Sequence, residues 1–265
     1  MSTETILPPA IEASTNLTGA ITTVDEDITW TPLLFPSLTG WWDATDLAGQ
    51  GDASTVTAWN DKSGNSRNFG QRASDNRPTK VTDGNYTAVS FVEASAQHMA
   101  NSASLATLIG NTGLVAIAFN FVGGPSTTNA SFFNDNGLIM DLDAGPTDSG
   151  YWGASAVTAS SVVSIRFGTN ASQLTIAAPA SARHLLVGYR TSGSVLTCSL
   201  DGAAEVTAGS TAAPTVQTNP LVLGRGFAGS TNYNGYIYEI VTSSANGAAG
   251  DRSDLITSMR LKWGI

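Results

Sequence analysis

The segment GWWDATDLAG, residues 40–49, places two tryptophans beside two acids, a combination that suits carbohydrate chemistry. It could form a sugar-stacking platform, a catalytic acid pair or a structural part of a β-sandwich. Neighbouring residues of a strand point to opposite faces, so Trp41 and Trp42 cannot both meet a ligand. At most one of the pair can therefore face solvent or a partner, and we expect Asp43 and Asp46 to accept hydrogen bonds from turn backbone.

Catalysis by two carboxylates is the next possibility. Glycoside hydrolysis needs two carboxylates facing one cleft, roughly 5 to 10 Å apart. MDLDAG offers Asp141 and Asp143 at strand spacing, but Gly145 occupies the third position, and Glu93 and Glu239 lie in segments that read as structural strands. The sequence therefore predicts that the protein is not an enzyme, with a glycoside hydrolase as the least favoured alternative.

Asp141 and Asp143 are also the candidates for a calcium site. Calcium prefers several oxygen ligands, and Asn134, Asp135 and Asn136 lie close by in the sequence. The competing interpretation is a solvated acidic loop. No other cofactor is predicted.

A second aromatic pair, Tyr151 and Trp152, follows Gly150 in what reads as a long polar loop. Loops on rigid β scaffolds often carry binding residues. A tryptophan that starts a strand and enters the core is the alternative. The predicted glycan contacts are Tyr151, Trp152, Asp148 and Trp41.

The composition of the 265 residues excludes some partners. The net charge is −9 and lysine occurs at three positions, so there is no basic face to neutralise nucleic-acid phosphates. No run approaches the ~20 apolar residues of a membrane span. The first ten residues lack a secretory pattern, so we expect the protein to be made in a cytoplasm, or to leave it by a route that these residues do not show. Cys198 stands alone between strand-spaced leucines and is predicted to be a buried apolar residue.

Residues 1–37 differ from the remainder, because they show neither helical nor strand periodicity. They could form a disordered terminus. We favour an extended arm that binds a partner chain in a homo-oligomer or multi-copy assembly. Its apolar contacts would be Ile6, Leu7, Ile11, Leu17, Ile21 and Ile28.

Residues 38–265 read as one domain of many short strands. The run GLVAIAFNFVG is typical of a central strand, and Asp201-Gly202 suits a type I′ hairpin turn. WNDKSGN, residues 59–65, predicts a structural turn. A short helix is expected near 102–110. A second helix at the C-terminus would bury Leu255, Met259 and Trp263, with Asp251 at its start and Gly264 at its end.

Several of these segments resemble the laminin-G-like, concanavalin A-like jelly-roll family. GWWDATDLAG, VTAWNDKSGNSRNF, RPTKV and AVSFVEASAQHM are similar to the opening of such domains. HLLVGYRTSGSVLTCSLDGAAEV and LVLGRGFAGSTNYNGYIYEIVTSS are similar to their closing strands. The resemblance implies an all-β, antiparallel jelly-roll sandwich with a terminal helix. It also implies that Trp42, at the family's first Trp or Leu position, lies in the core or at its margin, with Trp41 on the opposite side of the strand. It says little about function, because function resides in sites rather than folds.

Domains of this kind are frequent on bacteriophage particles. The resemblance, the acidic composition and the predicted arm together lead us to expect a non-enzymatic structural protein of a virion. It would be a capsid decoration or a tail or neck fibre subunit that contacts other virion proteins and has a capacity to bind host surface glycans. The alternative is a carbohydrate-binding module of bacterial surface or secreted origin.

Overall fold

The computed structural model describes residues 30–70, 76–110, 112–121, 136–141, 151–157, 162–168, 173–177, 182–191, 195–208, 220–225 and 232–265. Within them the chain forms sixteen strands and two α-helices. The first eight strands are β1 (Leu38–Asp43), β2 (Ala58–Trp59), β3 (Phe69–Gly70), β4 (Thr79–Asp83), β5 (Tyr86–Phe91), β6 (Met99–Ser104), β7 (Leu114–Phe121) and β8 (Asn136–Asp141). The others are β9 (Tyr151–Val157), β10 (Val162–Gly168), β11 (Gln173–Ala177), β12 (Arg183–Arg190), β13 (Leu196–Leu200), β14 (Val206–Ala208), β15 (Pro220–Leu223) and β16 (Gly235–Ser243).

The strands form two eight-stranded antiparallel sheets. The first sheet has the order β14-β13-β12-β7-β16-β5-β4, with β1 also paired to β16. The second has the order β11-β10-β9-β8-β15-β6-β3-β2. The predicted all-β antiparallel sandwich is confirmed. The more specific family membership stays a prediction.

The main core lies between the two sheets. Trp42 from β1 packs on Phe69 from β3 with ring centroids 4.6 Å apart, and both side chains are fully buried. The apolar run of β7 is central, as its sequence predicts, with β12 and β16 as neighbours. Cys198 is buried as expected, and burial raises the pKa of its thiol to about 12.

A smaller apolar layer forms where the C-terminal helix α2 (Ala249–Trp263) covers the outer face of the first sheet. Leu255, Met259 and Trp263 are the buried residues of α2, as predicted, and Gly264 ends the helix with φ 64°. Asp251 lies inside the first turn, where its Oδ2 accepts a hydrogen bond from the Ala248 N–H. The helix thus begins earlier than the sequence indicated.

The other predicted local features hold with small shifts. Helix α1 covers Leu105–Leu108, because residues 102–104 of the predicted helix belong to β6. Asp201 and Gly202 both have positive φ, at 55° and 71°, in the turn that follows β13, as a type I′ turn requires. No helix among the described residues is long and apolar enough to span a bilayer.

The WNDKSGN turn closes the unpaired edge of β1. Asp61 Oδ1 accepts hydrogen bonds from the backbone N–H of Trp41 (3.0 Å) and of Ser63 (2.8 Å). Its Oδ2 accepts from the backbone N–H of Arg67, whose guanidinium donates to the carbonyl of Thr39. The prediction of a structural turn is confirmed, and side chains here satisfy backbone groups that a further strand would otherwise pair.

The structure describes residues 30–37, the last part of the predicted arm. Residues 30–37 are packed on the domain through a 3-10 turn at Pro32–Leu34 and a buried Phe35. Ser243 Oγ lies 2.8 Å from the carbonyl oxygen of Pro36 and donates to it. Apolar burial and these hydrogen bonds fix the segment. The predicted arm contacts lie outside the described residues: Ile6, Leu7, Ile11, Leu17, Ile21 and Ile28.

Candidate functional site

The candidate site is a groove of about 750 Å³ at the outer face of the first sheet. Three elements enclose it: the segment that starts at Trp30, helix α2, and the adjoining strands β1 and β16. Two tryptophans line it, β1 and β16 contribute one carboxylate each, and α2 contributes a third, that of Asp254. We call it the tryptophan groove. Its lining includes Trp30, Pro32, Trp41, Asp43, Glu239, Met259 and Lys262.

Strand pairing brings the carboxylates of β1 and β16 together. Asp43 of β1 and Glu239 of β16 are register partners, so their side chains share one face of the sheet. Two carboxylates in this arrangement repel each other unless a cation lies between them. Lys262 from α2 supplies it, with Nζ 2.7 Å from Asp43 Oδ2 and 3.0 Å from Glu239 Oε1.

Glu239 is almost fully buried, and each of its oxygens has a partner. Oε1 accepts a hydrogen bond from Trp41 Nε1 at 2.6 Å in addition to its contact with Lys262. Oε2 accepts from Trp263 Nε1, also at 2.6 Å. Burial raises the pKa of Glu239, and Lys262 opposes that rise without cancelling it. Glu239 therefore joins β1, β16 and α2 at one point.

Asp43 shows the opposite shift. Burial by itself would raise the pKa of Asp43, but the charge and hydrogen bond of Lys262 and the bonds from Thr45 outweigh it and lower the pKa. The Thr45 N–H donates to Asp43 Oδ1 at 2.9 Å, so the predicted backbone role of Asp43 is confirmed. The same prediction for Asp46 is wrong, because Asp46 Oδ1 instead accepts from Lys62 Nζ at 2.9 Å.

Trp41 and Trp30 form the aromatic part of the tryptophan groove. Trp41 is half-buried, and Lys62 Nζ lies 4.6 Å from the centre of its ring. Trp30 is held beside α2 by its carbonyl oxygen, which accepts a hydrogen bond from Ser258 Oγ at 3.4 Å. Leu261 on the groove is 80 % exposed. The groove thus combines apolar rings at its wall with charged oxygens at its base.

Two of the other predicted glycan contacts, Tyr151 and Trp152, lie in the second sheet rather than in the sheet that forms the groove. Tyr151 and Trp152 were expected in a loop, but they are the first two residues of β9, where the second sheet pairs them with Gly168 and Phe167. Backbone hydrogen bonding to β10 places them in the strand. Asp148 lies outside the described residues. Of the four candidates, Trp41 is the one that the structure places in the groove.

The predicted calcium ligands fare similarly. Asp141 is the last residue of β8, paired with Leu221, and Asp143 lies outside the described residues. In the described part of the chain, no group of three or more His, Cys, Asp or Glu side chains could hold a metal ion. The calcium site stays a prediction.

Sequence reasoning overlooked three groove residues: Glu239, Lys262 and Trp30. Glu239 was set aside as part of a structural strand, which is where it lies. The available signal was an acid in the apolar strand YIYEIV, together with one of the chain's three lysines beside Trp263. A buried carboxylate needs a cation or donors, and that requirement could have linked β16 to the C-terminal helix.

Comparison with known proteins supports the fold. No protein-family model matches the sequence, and no relative was found among curated proteins. The structure is similar to Trypanosoma rangeli sialidase, with a TM-score of 0.56 and 12% identity over 85% of this chain. The match spans 33% of that sialidase, about a third of its length.

Two further solved structures are similar. One is domain 4 of AbnA, an extracellular arabinanase from Geobacillus stearothermophilus, in complex with arabinotriose, with a TM-score of 0.55, 12% identity, and 83% of this chain and 98% of that chain covered. The other is the binding domain of Paraclostridial Mosquitocidal Protein 1, with a TM-score of 0.57, 10% identity, and coverage of 84% and 52%. At these identities the likeness shows a shared β-sandwich fold.

Proposed function

We propose that the protein is a non-catalytic binding domain that takes carbohydrate into the tryptophan groove. The observation that carries the proposal is the placement of Trp30 and Trp41 over a base of Asp43, Glu239 and Lys262. Indole rings offer flat apolar surfaces to sugar C–H groups, and charged oxygens and ammonium groups exchange hydrogen bonds with sugar hydroxyls. Cavities that are mostly apolar with a few polar groups are the usual small-ligand sites.

The bonding of the carboxylates argues for binding rather than hydrolysis. A general acid must release a proton to the leaving group, and its partner must reach the sugar or a water molecule. Glu239 instead accepts from Trp41, Trp263 and Lys262, and it is 1 % exposed. Asp43 is tied to Thr45 and to the same lysine. These bonds position the groove walls.

The structural likeness adds support of a general kind. The arabinanase domain that resembles this chain was solved with an oligosaccharide, and the mosquitocidal domain is a binding domain. Both show that this sandwich serves in binding modules. The sugar bound here is a separate question, because binding residues vary while the fold persists.

A glycan array followed by calorimetry tests the proposal. The intact chain is screened on printed bacterial and plant glycans, with arabinotriose included, and the best ligand is titrated by calorimetry. Trp30→Ala removes one wall of the groove, and we expect it to weaken binding about tenfold or more, since loss of aromatic contact on this scale costs roughly 1.4 kcal/mol. Val206→Ser serves as the control, because Val206 is an exposed apolar residue outside the groove lining.

Two results would contradict the proposal. The wild-type chain could bind no glycan on the array. Alternatively, Trp30→Ala and Trp41→Phe could bind the ligand as tightly as the wild type. Release of reducing sugar from the bound glycan would instead support the hydrolase alternative.

A structural role in a bacteriophage virion is the second candidate. It is favoured by three exposed leucines near the groove: Leu33 is 55 % exposed, Leu34 57 % and Leu261 80 %. Exposed apolar residues that lie together are a feature of protein-binding surfaces. The test is mass spectrometry of purified particles that carry the protein, with the full chain and a chain lacking residues 1–29. Attachment that survives the deletion would contradict the arm hypothesis.

A further inference from the structure

A second cleft, of about 480 Å³, lies between helix α2 and the turn that follows β13. Thr257 lines both this cleft and the tryptophan groove, so the two cavities adjoin the same helix. The cleft differs in chemistry, because two arginines and several hydroxyl groups face it. These residues are Ser199, Arg252, Ser253, Thr257 and Arg260.

Arg252 has several partners that hold it in place. Its Nη1 donates to the carbonyl oxygens of Asn246 at 3.2 Å and of Gly247 at 2.7 Å. Its guanidinium lies over the ring of Tyr189 at 4.1 Å, and its Nε is 3.7 Å from Glu205 Oε1. Arg252 therefore fixes the start of α2 and has a carboxylate partner.

Arg260 is eight residues further along the same helix face and is placed differently. Among the described residues its side chain has no ion pair, and its Nε is buried without a hydrogen-bond partner. A Cβ atom at Gly202 would lie 2.8 Å from Arg260 Nη1. The bare backbone of Gly202 thus makes room for the guanidinium at the edge of the cleft.

We propose that Arg260 binds a singly charged oxyanion, a carboxylate or a sulfate ester, in this cleft. A guanidinium carries five N–H donors in a planar fork that matches the oxygens of such groups. Ser253 and Thr257, one turn apart on α2, provide hydroxyl donors beside it. A doubly charged group is disfavoured, because Glu205 lines the same cleft and the chain carries a net charge of −9.

Nuclear magnetic resonance provides the test. Methyl sulfate and acetate are titrated into the intact labelled protein while the Gly202 amide and the buried Arg260 Nε–H are followed. We expect both signals to shift with saturation, and Arg260→Gln to weaken binding about tenfold or more, as loss of a charge-assisted hydrogen bond implies. Methyl phosphate at pH 8, the doubly charged counterpart of methyl sulfate, is expected to bind more weakly than methyl sulfate.

Matched variants separate a site from a general charge effect. Arg77→Gln removes the same charge outside the cleft and should bind methyl sulfate as the wild type does. Arg260→Lys keeps the charge and should bind more strongly than Arg260→Gln, provided that both variants give folded spectra. Unchanged affinity in Arg260→Gln, an equal loss in Arg77→Gln, or tighter binding of methyl phosphate would overturn the proposal.

Glucuronate and N-acetylglycinate identify the source of the anion. They present one carboxylate on a sugar and on a peptide terminus respectively. Both should depend on Arg260, and the tighter ligand indicates whether an acidic sugar or a chain terminus is recognised. Binding of either one that is insensitive to Arg260→Gln would count against the site.

Discussion

Trp41 and Trp42 are adjacent in sequence, yet they belong to two different regions of the molecule. Trp42 is fully buried between the sheets, packs on Phe69 and donates its Nε1–H to the carbonyl oxygen of Arg67. Trp41 faces the helix, donates to Glu239 and lies beside Lys62. The inter-sheet core is apolar and closed, whereas the helix side is charged, partly open and lined by a groove.

The difference shows how one strand serves both stability and binding. Alternation along β1 sends Trp42 to the layer between the sheets and its neighbours Trp41 and Asp43 to the layer beside the helix. The inter-sheet layer tolerates few polar atoms, because their burial costs free energy unless each is hydrogen-bonded. The helix layer keeps Asp43 and Glu239 by supplying Lys262 and two indole N–H groups. Of these charged groups, Lys262 has a partly exposed side chain that can still meet a ligand.

The largest predicted effect comes from truncating each tryptophan in turn. Trp42→Ala leaves a cavity between the sheets and should lower the free energy of unfolding by about 3–5 kcal/mol. Trp41→Ala should cost about 1–2 kcal/mol, because Trp41 is half-buried, but it should remove groove binding. Urea denaturation measures the free energy of unfolding of each variant, and calorimetry measures ligand binding in the groove. Equal stability losses in the two variants would abolish the distinction between the layers.

A smaller effect is expected from the turn that closes the edge of β1. Asp61→Ala leaves the N–H groups of Trp41, Ser63 and Arg67 without their carboxylate acceptor, at a cost of about 2 kcal/mol. Asp61→Asn, which keeps one oxygen acceptor, should cost less. Denaturant midpoints give both values. If Asp61→Ala is as stable as the wild type, water replaces the carboxylate and the edge does not need it.

The smallest expected effect is on the pH dependence of the free energy of unfolding, to which Glu239 and Asp43 contribute with opposite sign. The raised pKa of Glu239 means that the folded state holds its proton more tightly, so wild-type stability relative to Glu239→Gln should fall as pH rises above 4.5. The lowered pKa of Asp43 means that stability relative to Asp43→Asn should fall as pH drops through 3.8. Urea denaturation at a series of pH values checks both slopes. If stability changed with pH in the same direction for both pairs of proteins, the opposite pKa shifts of Glu239 and Asp43 would be contradicted.

Local sequence patterns were sufficient to predict much of the fold. Continuous apolar runs predicted the central strands, Asp201-Gly202 predicted a turn with two positive φ angles, and helical spacing predicted the buried face of α2. The predictions that were wrong concern residues whose contacts come from segments remote in the sequence. Asp46 forms an ion pair with Lys62, sixteen residues further along the chain. Tyr151 and Trp152 belong to a strand because β10 pairs with them.

The sequence by itself determined the class of the fold and that the two tryptophans would face opposite sides of their strand, because strand alternation and apolar periodicity are local properties. Tertiary structure alone decided the candidate site. Asp43 and Glu239 are separated by nearly two hundred residues, and Lys262 comes from a helix that follows the last strand. Register between β1 and β16 places the acids together, and the docking of α2 supplies their counter-charge, so the groove exists only once distant segments have packed.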